Sequence, residues 1–261
     1  MYRKISRAIF KTRPVVFIAV AYPGLNLLLC RYAKKMGIRV VYLLPPQIWA
    51  WGGFRKYFIK KWVDLIISVF PFEYRFYISK KIKTAYIKNP LFDELKRYKK
   101  KNFSGYIGFM PGSRISEIKR NIPVILELIK NCVELQNFKF IFIIHPDLAS
   151  SKILDRLMTK EFQNKLRFVI SNRYEEMCKC DLIITCSGTA SLETAIIGIP
   201  QIFFNRPGFF DYHLFRYLLK IKEYNLSNLY FEKTIIPSFV LRNKKKLVRL
   251  ISSELHKFLS K

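Results

Sequence analysis

An uninterrupted apolar run, Leu182-Ile183-Ile184-Thr185, meets a turn of small residues, Ser187-Gly188-Thr189, and a helix-forming segment follows at once, stopping near Gly198-Ile199-Pro200. That is a strand, a tight turn and a helix N-terminus, half of a βα unit, and it commits the chain to an α/β architecture. Gly188 lets the backbone approach a ligand closely, and Ser187 or Thr189 can cap the helix. Free N–H groups and the positive end of the helix dipole suit an anion there, most often a phosphate. Glu193 lies one helical turn inside, on the face a bound ligand would touch, where a lone carboxylate suits sugar or ribose hydroxyls better than phosphate. The same residues also make an ordinary βα turn with Glu193 as a solvated helix residue.

The same alternation runs through the whole chain. Residues 15–21 carry no polar side chain and are rich in β-branched residues, the composition of a buried parallel strand. Pro23-Gly24 breaks the run, and residues 26–36 have helical periodicity with a stop at Gly37. Further strands are expected at 38–44, 65–69 and 84–87, with a basic helix over 54–62 and another starting at 71–77. The charged stretch 96–102 lacks apolar spacing and reads as the boundary between a first domain, 1–95, and a second, 103–242. The second is expected to hold strands at 106–110, 138–144, 166–170, 182–185 and 201–205, with helices over 116–135, 148–158 and 174–178. An aromatic- and Arg-rich segment runs to Tyr224, and residues 243–261 form an amphipathic tail helix. Two doubly wound domains with a cleft between them follow from this order.

Composition narrows the partners. The net charge is +29, from 47 Lys and Arg against 18 Asp and Glu, which implies nucleic acid, anionic lipid head groups or a phosphorylated substrate, or else a lysine-rich solvated surface. No arginine-rich block, zinc finger or aromatic RNA-binding signature accompanies the charge. Cys30, Cys132, Cys178, Cys180 and Cys186 are odd in number and lack framework spacing, so a reduced, cytoplasmic compartment and no metal are expected. Lys11, Arg13 and Pro14 interrupt the start, which leads to no signal-peptide core, and no uncharged apolar run reaches the roughly 18 residues of a membrane span.

Pro111-Gly112-Ser113-Arg114 occupies the turn after the second domain's first strand. Its N–H groups and the Arg114 guanidinium can clamp a phosphate, and Glu117 can orient Arg114 or complete a cap with Ser113 or Ser116. Its plainer role is a capped helix start with a surface arginine. Two such turns in one domain favour phosphate binding. Asn228, in an apolar frame, can bond a ligand or simply form a turn. Trp49 and Trp51 can stack on a ring, enter a lipid interface or join the core. His145-Pro146-Asp147 is a base with its orienter or a turn, and His213 and His256 have no evident partners.

Six blocks occur in the order and spacing typical of the lipid-A-disaccharide synthase family: Pro46-Gln47-Ile48-Trp49-Ala50-Trp51, Pro71-Phe72-Glu73, Asn89-Pro90-Leu91, Met110-Pro111-Gly112-Ser113-Arg114 with Glu117, Cys186-Ser187-Gly188-Thr189-Ala190-Ser191-Leu192-Glu193, and Leu226-Ser227-Asn228-Leu229. The resemblance runs from about Lys11 to the C-terminus. It implies a GT-B-type glycosyltransferase of two Rossmann-like domains, the first lacking its initial strands, with a UDP-sugar donor held by the second and no metal or other cofactor. By the same resemblance Arg114, Ser187, Gly188 and Thr189 would hold the diphosphate, Glu193 the ribose and Asn228 the nucleotide-sugar, with Gly112 and Ser113 among the donor-binding residues. The family transfers a glucosamine derivative from UDP to a lipid-linked glucosamine 1-phosphate at the inner membrane, so a lipid acceptor and an anionic membrane surface are the expected partners.

The departures fall on the acceptor side. The family begins with a strand and a Gly-Glu-Thr-Ser-Gly-Asp turn that have no counterpart here. Where it usually reads Asp-Ala-Pro-Asp-Phe-Asn, this chain has Ala21-Tyr22-Pro23-Gly24-Leu25-Asn26, so both acidic residues are gone. Gly52 replaces an Arg, Asn89 a His, and Pro237-Ser238-Phe239-Val240-Leu241 the pattern Pro-Glu-Leu-Leu-Gln. Asn26 is left as the acceptor-side catalytic candidate, and Arg114 with the helix dipole as the group stabilising departing UDP in a direct displacement. A non-catalytic member, or one that needs a second chain to supply the missing strands, is the alternative. A basic protein that binds nucleic acid or membrane through charge alone is a third reading.

Overall fold

The computed structural model describes residues 1–50, 52–100, 102–144, 165–208, 223 and 225–260. Trp51, His145-Pro146-Asp147, the expected helix over 148–158, His213 and most of the segment leading to Tyr224 lie outside the described residues. The chain divides into two compact units between Pro90 and Leu91. That is earlier than the charged stretch 96–102, because the short helix α5 (Leu91–Leu95) belongs to the second unit and buries Leu95 completely in its core.

The first unit is a parallel sheet, β1 (Val16–Val20), β2 (Arg39–Leu43), β3 (Leu65–Ser68) and β4 (Thr84–Tyr86), ordered β1-β2-β3-β4. Its helices are α1 (Tyr2–Thr12), α2 (Pro23–Lys35), α3 (Arg55–Trp62) and α4 (Pro71–Ser79). Right-handed crossovers that always step the same way put every connecting helix on one face. The core shows it: Ala19, Tyr42 and Ile66 are register neighbours and share a buried cluster with Ile9, Cys30, Ile59 and Tyr77 from the four helices.

Two local expectations change in this unit. Pro23 does not merely end the strand; it opens α2 at the first helical turn, where its missing N–H is no loss. Strand β1, expected to be buried, is largely exposed, with Ile18 at 55 % and Val20 at 50 %. Its all-apolar composition suits two covered faces, but it is terminal in the sheet and, among the described residues, covered on one.

Glu73 on α4 is 2 % exposed; it accepts bonds from Ser68 Oγ at 2.6 Å and Trp49 Nε1 at 3.3 Å. Trp49 is thereby tied into the first unit, with its ring edge-on to Phe72 at 4.9 Å between centroids. Burial pushes the Glu73 carboxyl up to about 7, against the opposing hydrogen bonds from Ser68 and Trp49. A carboxyl raised on folding favours the folded state fully below its unfolded pKa and loses that contribution as pH rises through 7. At about 1.4 kcal/mol per unit, the loss is of the order of 3 kcal/mol. All three tryptophans lie in this unit. The midpoint of the fluorescence-detected urea transition should therefore fall between pH 5 and 8 in the parent and stay nearly level in Glu73→Gln; parallel curves would contradict this.

The second unit has β5 (Tyr106–Met110), β6 (Lys139–Ile143), β7 (Leu166–Val169), β8 (Leu182–Thr185), β9 (Gln201–Asn205) and β10 (Ser238–Val240), all parallel, in the order β10-β9-β8-β5-β6-β7. The order reverses between β5 and β8, so helices cover both faces, and the central strands are buried almost throughout. Around them lie α6 (Ile115–Asn131), α7 (Arg173–Met177), α8 (Gly188–Ile197), α9 (Leu226–Phe231) and α10 (Lys244–Leu259). The tail helix α10 is not a separate appendage: Leu247, Ile251 and Leu255 are fully buried in a shared core with α6. Asn243 caps it by accepting from the Lys246 amide. The five cysteines are buried and form no disulfide.

Candidate functional site

The reversal of strand order decides where the two turns meet. Met110 and Thr185 are register partners at the C-terminal ends of β5 and β8, so the turns that follow, 111–114 and 186–188, emerge side by side. In open parallel sheets this switch point is where ligands bind.

The first turn is shaped by Gly112, whose φ of +133° is open to glycine alone in practice. Space gives the same answer, because a Cβ there would meet Glu117 Cβ and Oε2 at 3.0 Å. Glu117 Oε2 accepts from the Ser113 amide at 3.2 Å, so Glu117 reaches back to the turn as expected, while Ser116 takes no part in the cap. Asn121, fully buried on α6, donates to the Pro111 carbonyl at 2.9 Å and accepts from the Arg206 amide at 3.1 Å. This anchor escaped the sequence reading, since a lone Asn inside a helix carries no motif.

The second turn delivers α8. Ser187 stands at its N-cap with extended backbone, and its side chain makes no capping bond. The amides of Gly188, Thr189 and Ala190 in the first turn have no intrahelical acceptor. Gly198, with φ +83°, terminates the helix as the sequence implied. At the N-terminal end of α8 lies a cavity of about 340 Å³, lined among others by Gly112, Ser113, Ser187, Thr189 and Glu193. Its size suits a small polar ligand.

Glu193 is 3 % exposed and not the lone carboxylate of the sequence reading. Its Oε1 accepts from Arg173 Nη2 at 2.6 Å and from Tyr174 Oη at 3.2 Å. Burial raises its pKa, and the Arg173 charge opposes the rise. The Arg173 guanidinium lies 4.5 Å from the centroid of the Tyr174 ring and also lines the cavity. Sequence reasoning missed Arg173. The available signal was its position just beyond β7, at the same sheet end as the two glycine turns.

Three candidates are placed elsewhere. Arg114 does not line the cavity; its side chain is 79 % exposed and pairs with Glu117 Oε1 at 3.2 Å. Asn228 is 2 % exposed and spends its amide inside the protein. It donates to the Ile236 carbonyl at 2.9 Å and Glu223 Oε2 at 2.8 Å, and accepts from the Ile235 and Ile236 amides at 3.0 and 2.9 Å. Its neighbour Asn225 caps α9 and accepts from Ser191 Oγ, locking α9 to α8. In the first unit, Asn26 donates to the Val20 and Ala21 carbonyls, both at 2.8 Å. It thereby holds the β1–α2 turn, in which Ala21 and Tyr22 have φ of 49° and 39°. His256, which the sequence left without a partner, pairs with Glu134 Oε1 at 2.9 Å.

Two parallel-sheet units, the second with a cavity at its strand-order switch, define a GT-B-like α/β protein. Solved structures share this fold. Methanocaldococcus jannaschii UDP-GlcNAc 2-epimerase, in complex with UDP-GlcNAc and UDP, aligns with a TM-score of 0.60 at 17 % identity over 97 % of this chain and 72 % of its own. The spinosyn rhamnosyltransferase SpnG, complexed with thymidine diphosphate, aligns with a TM-score of 0.59 at 15 % identity, over 100 % of this chain and 69 % of its own. The family model for lipid-A-disaccharide synthetase matches residues 1–260, and the chain belongs to that family. Lipid-A-disaccharide synthase 1 of Legionella pneumophila strain Paris is 32 % identical over 97 % of this chain and 69 % of its own length. The Nitrosococcus oceani synthase is 31 % identical over 91 % and 64 %. The chain thus spans about two thirds of the length of the curated relatives it matches. Among the described residues, no helix is long and apolar enough to cross a membrane.

Proposed function

We propose that the second unit binds a UDP-sugar and that the chain acts in glycosyl transfer to a lipid-linked glucosamine 1-phosphate, the step of lipid A assembly its family name denotes. The observation that carries the reading is the convergence of the 111–114 turn and the N-terminus of α8 on one cavity that also holds Arg173 and Glu193. First-turn amides and the helix dipole supply fixed positive charge for a diphosphate, both in the bound donor and in the departing UDP. Among the described residues, the hydrogen bonds to Glu193 from Arg173 and Tyr174 both fall on Oε1, which leaves Oε2 to accept ribose or sugar hydroxyls. Transfer forms a bond from an acceptor hydroxyl to the anomeric carbon and breaks the bond to the diphosphate; the hydroxyl proton leaves to a base.

For the lipid acceptor and a peripheral position on an anionic membrane, support comes from the first unit. A cleft of about 760 Å³ there is lined by Arg31, Lys34, Lys35 and Lys61 together with Phe58 and Trp62, whose rings stack at 4.8 Å. Among the described residues no acidic one lines it, so it suits an amphiphile with an anionic head. Flotation with anionic but not zwitterionic vesicles would be the expected behaviour.

A second reading, nucleotide-sugar binding without turnover, is favoured by the 21–26 turn. It carries no carboxylate, and the Asn26 amide donates back to the Val20 and Ala21 carbonyls, closing the turn itself. One assay separates the two. The protein is incubated with an acylated UDP-glucosamine and the lipid acceptor, and product is sought by mass spectrometry. Disaccharide with acceptor-dependent UDP release supports transfer; saturable UDP binding with no disaccharide supports the second reading. Absence of both would end the proposal.

A further inference from the structure

Among the described residues that line the α8 cavity, Arg173 is the one cation and Glu193 the one carboxylate. A carboxylate in a cavity that takes an anion sets a like charge against its ligand, and Arg173 cancels that charge. Cancelling it uses only part of the guanidinium. Nη2 donates to Glu193 Oε1 at 2.6 Å and to Tyr174 Oη at 2.5 Å. The N–H groups on Nε and Nη1 have no acceptor among the described residues, and the side chain is 37 % exposed. The position of this arginine is set locally. Asn172 takes the left-handed region, with φ 52°, just beyond β7, and Arg173 then opens α7. A carboxylate, a phenol and a ring face all hold the guanidinium, so little side-chain freedom is left to lose on binding. Arg114 is the contrast: it lies off the cavity on a single exposed pair with Glu117.

We propose that Arg173, in place of Arg114, is the side-chain clamp on the donor's diphosphate, and that Glu193 and Tyr174 are positioning residues that hold it ready. The inference rests on the UDP-sugar reading of this cavity. Nη2 stays on its two anchors, and the edge formed by Nε and Nη1 meets phosphate oxygens in the paired geometry a guanidinium favours. Glu193 then serves twice: Oε1 orients the arginine, and Oε2 remains for a ribose or sugar hydroxyl. This division accounts for a buried carboxylate in an anion site, since its charge is spent on the cation that the anion needs. The α8 dipole alone amounts to about half an elementary charge, less than a diphosphate carries. When the bond to the anomeric carbon breaks, charge gathers on the departing diphosphate. A cation already fixed at the cavity stabilises that charge without rearranging.

The test titrates UDP and uridine by calorimetry into the full chain and its Arg173→Gln and Arg114→Gln variants. Arg173→Gln should weaken UDP at least about thirtyfold and leave uridine within about threefold of the parent. Its loss for UDP should exceed that of Arg114→Gln. Arg173→Lys, which keeps the charge and loses the fork, should recover only part of the affinity. Because Arg173→Gln leaves Glu193 without its cation, the same change is also made in a Glu193→Gln background, where no unpaired carboxylate remains. There it should still lower the ratio of UDP to uridine affinity at least about tenfold. An arginine that only supports the fold would weaken both ligands together and leave the ratio unchanged. An unchanged ratio, or a larger loss in Arg114→Gln than in Arg173→Gln, would overturn the assignment while leaving the cavity's reading intact. A parent chain that binds neither UDP nor uridine would sink that reading and the assignment with it.

Discussion

Ser187→Asp is expected to strengthen the fold and abolish nucleotide binding in the same molecule. Ser187 is the N-cap of α8 but makes no capping bond. An aspartate would accept from the first-turn amides and meet the positive end of the dipole, which contributes about 0.5–1 kcal/mol of stability. The same carboxylate would occupy the donors assigned to the diphosphate and set a negative charge against it. The expected loss of UDP affinity is at least about 100-fold, or roughly 2.7 kcal/mol. Thermal unfolding and isothermal titration on one preparation check both halves. A variant that melts later and still binds UDP at parental affinity would remove the α8 terminus from the site. Because stability and binding move in opposite directions, general damage cannot imitate the result.

Asn228→Ala is expected to show the reverse pattern: a large loss of stability with little change in affinity. The substitution strips the bonds to the Ile235 and Ile236 amides and to the Ile236 carbonyl, where Ile236 is itself buried. Each buried group left without a partner costs about 1–3 kcal/mol, so a total near 3–4 kcal/mol is expected. Urea unfolding followed by far-UV circular dichroism would read it, since the tryptophans lie in the other unit. Below the melting temperature, UDP affinity should stay within about threefold of the parent. A stable Asn228→Ala protein with a hundredfold weaker affinity would instead restore Asn228 to the ligand.

Much of this architecture was legible because local signals agreed. Largely apolar runs of four to seven residues, each followed within three residues by Gly or Pro, located β2, β3, β5, β6, β8 and β9 to within a residue or so. Their alternation with helices implied parallel sheets. The turns at Gly112 and Gly188 were found for the same reason: glycine at a strand end is a backbone statement, readable without tertiary knowledge. What sequence could not supply was which polar side chains were already spoken for. Arg114, Asn228 and Asn26 all looked available, and each is bonded inside its own unit. Conversely, Arg173 reaches Glu193 across 20 residues, a contact that no local pattern encodes. The short elements α5, α9 and β10 were missed because three to six residues carry too little periodicity. Strand β1 was misjudged in burial for a different reason. Its composition describes a strand covered on both faces, and the described residues cover only one.

The most direct test is a titration series of UDP, UMP, uridine and inorganic pyrophosphate against the purified chain by calorimetry. If the two turns and the α8 terminus hold a diphosphate beside a nucleoside, UDP should bind at least about tenfold tighter than UMP, which should bind tighter than uridine. Pyrophosphate should compete with UDP. Equal affinity for UDP and uridine, or UDP binding that pyrophosphate cannot displace, would contradict a diphosphate site at this end of the sheet.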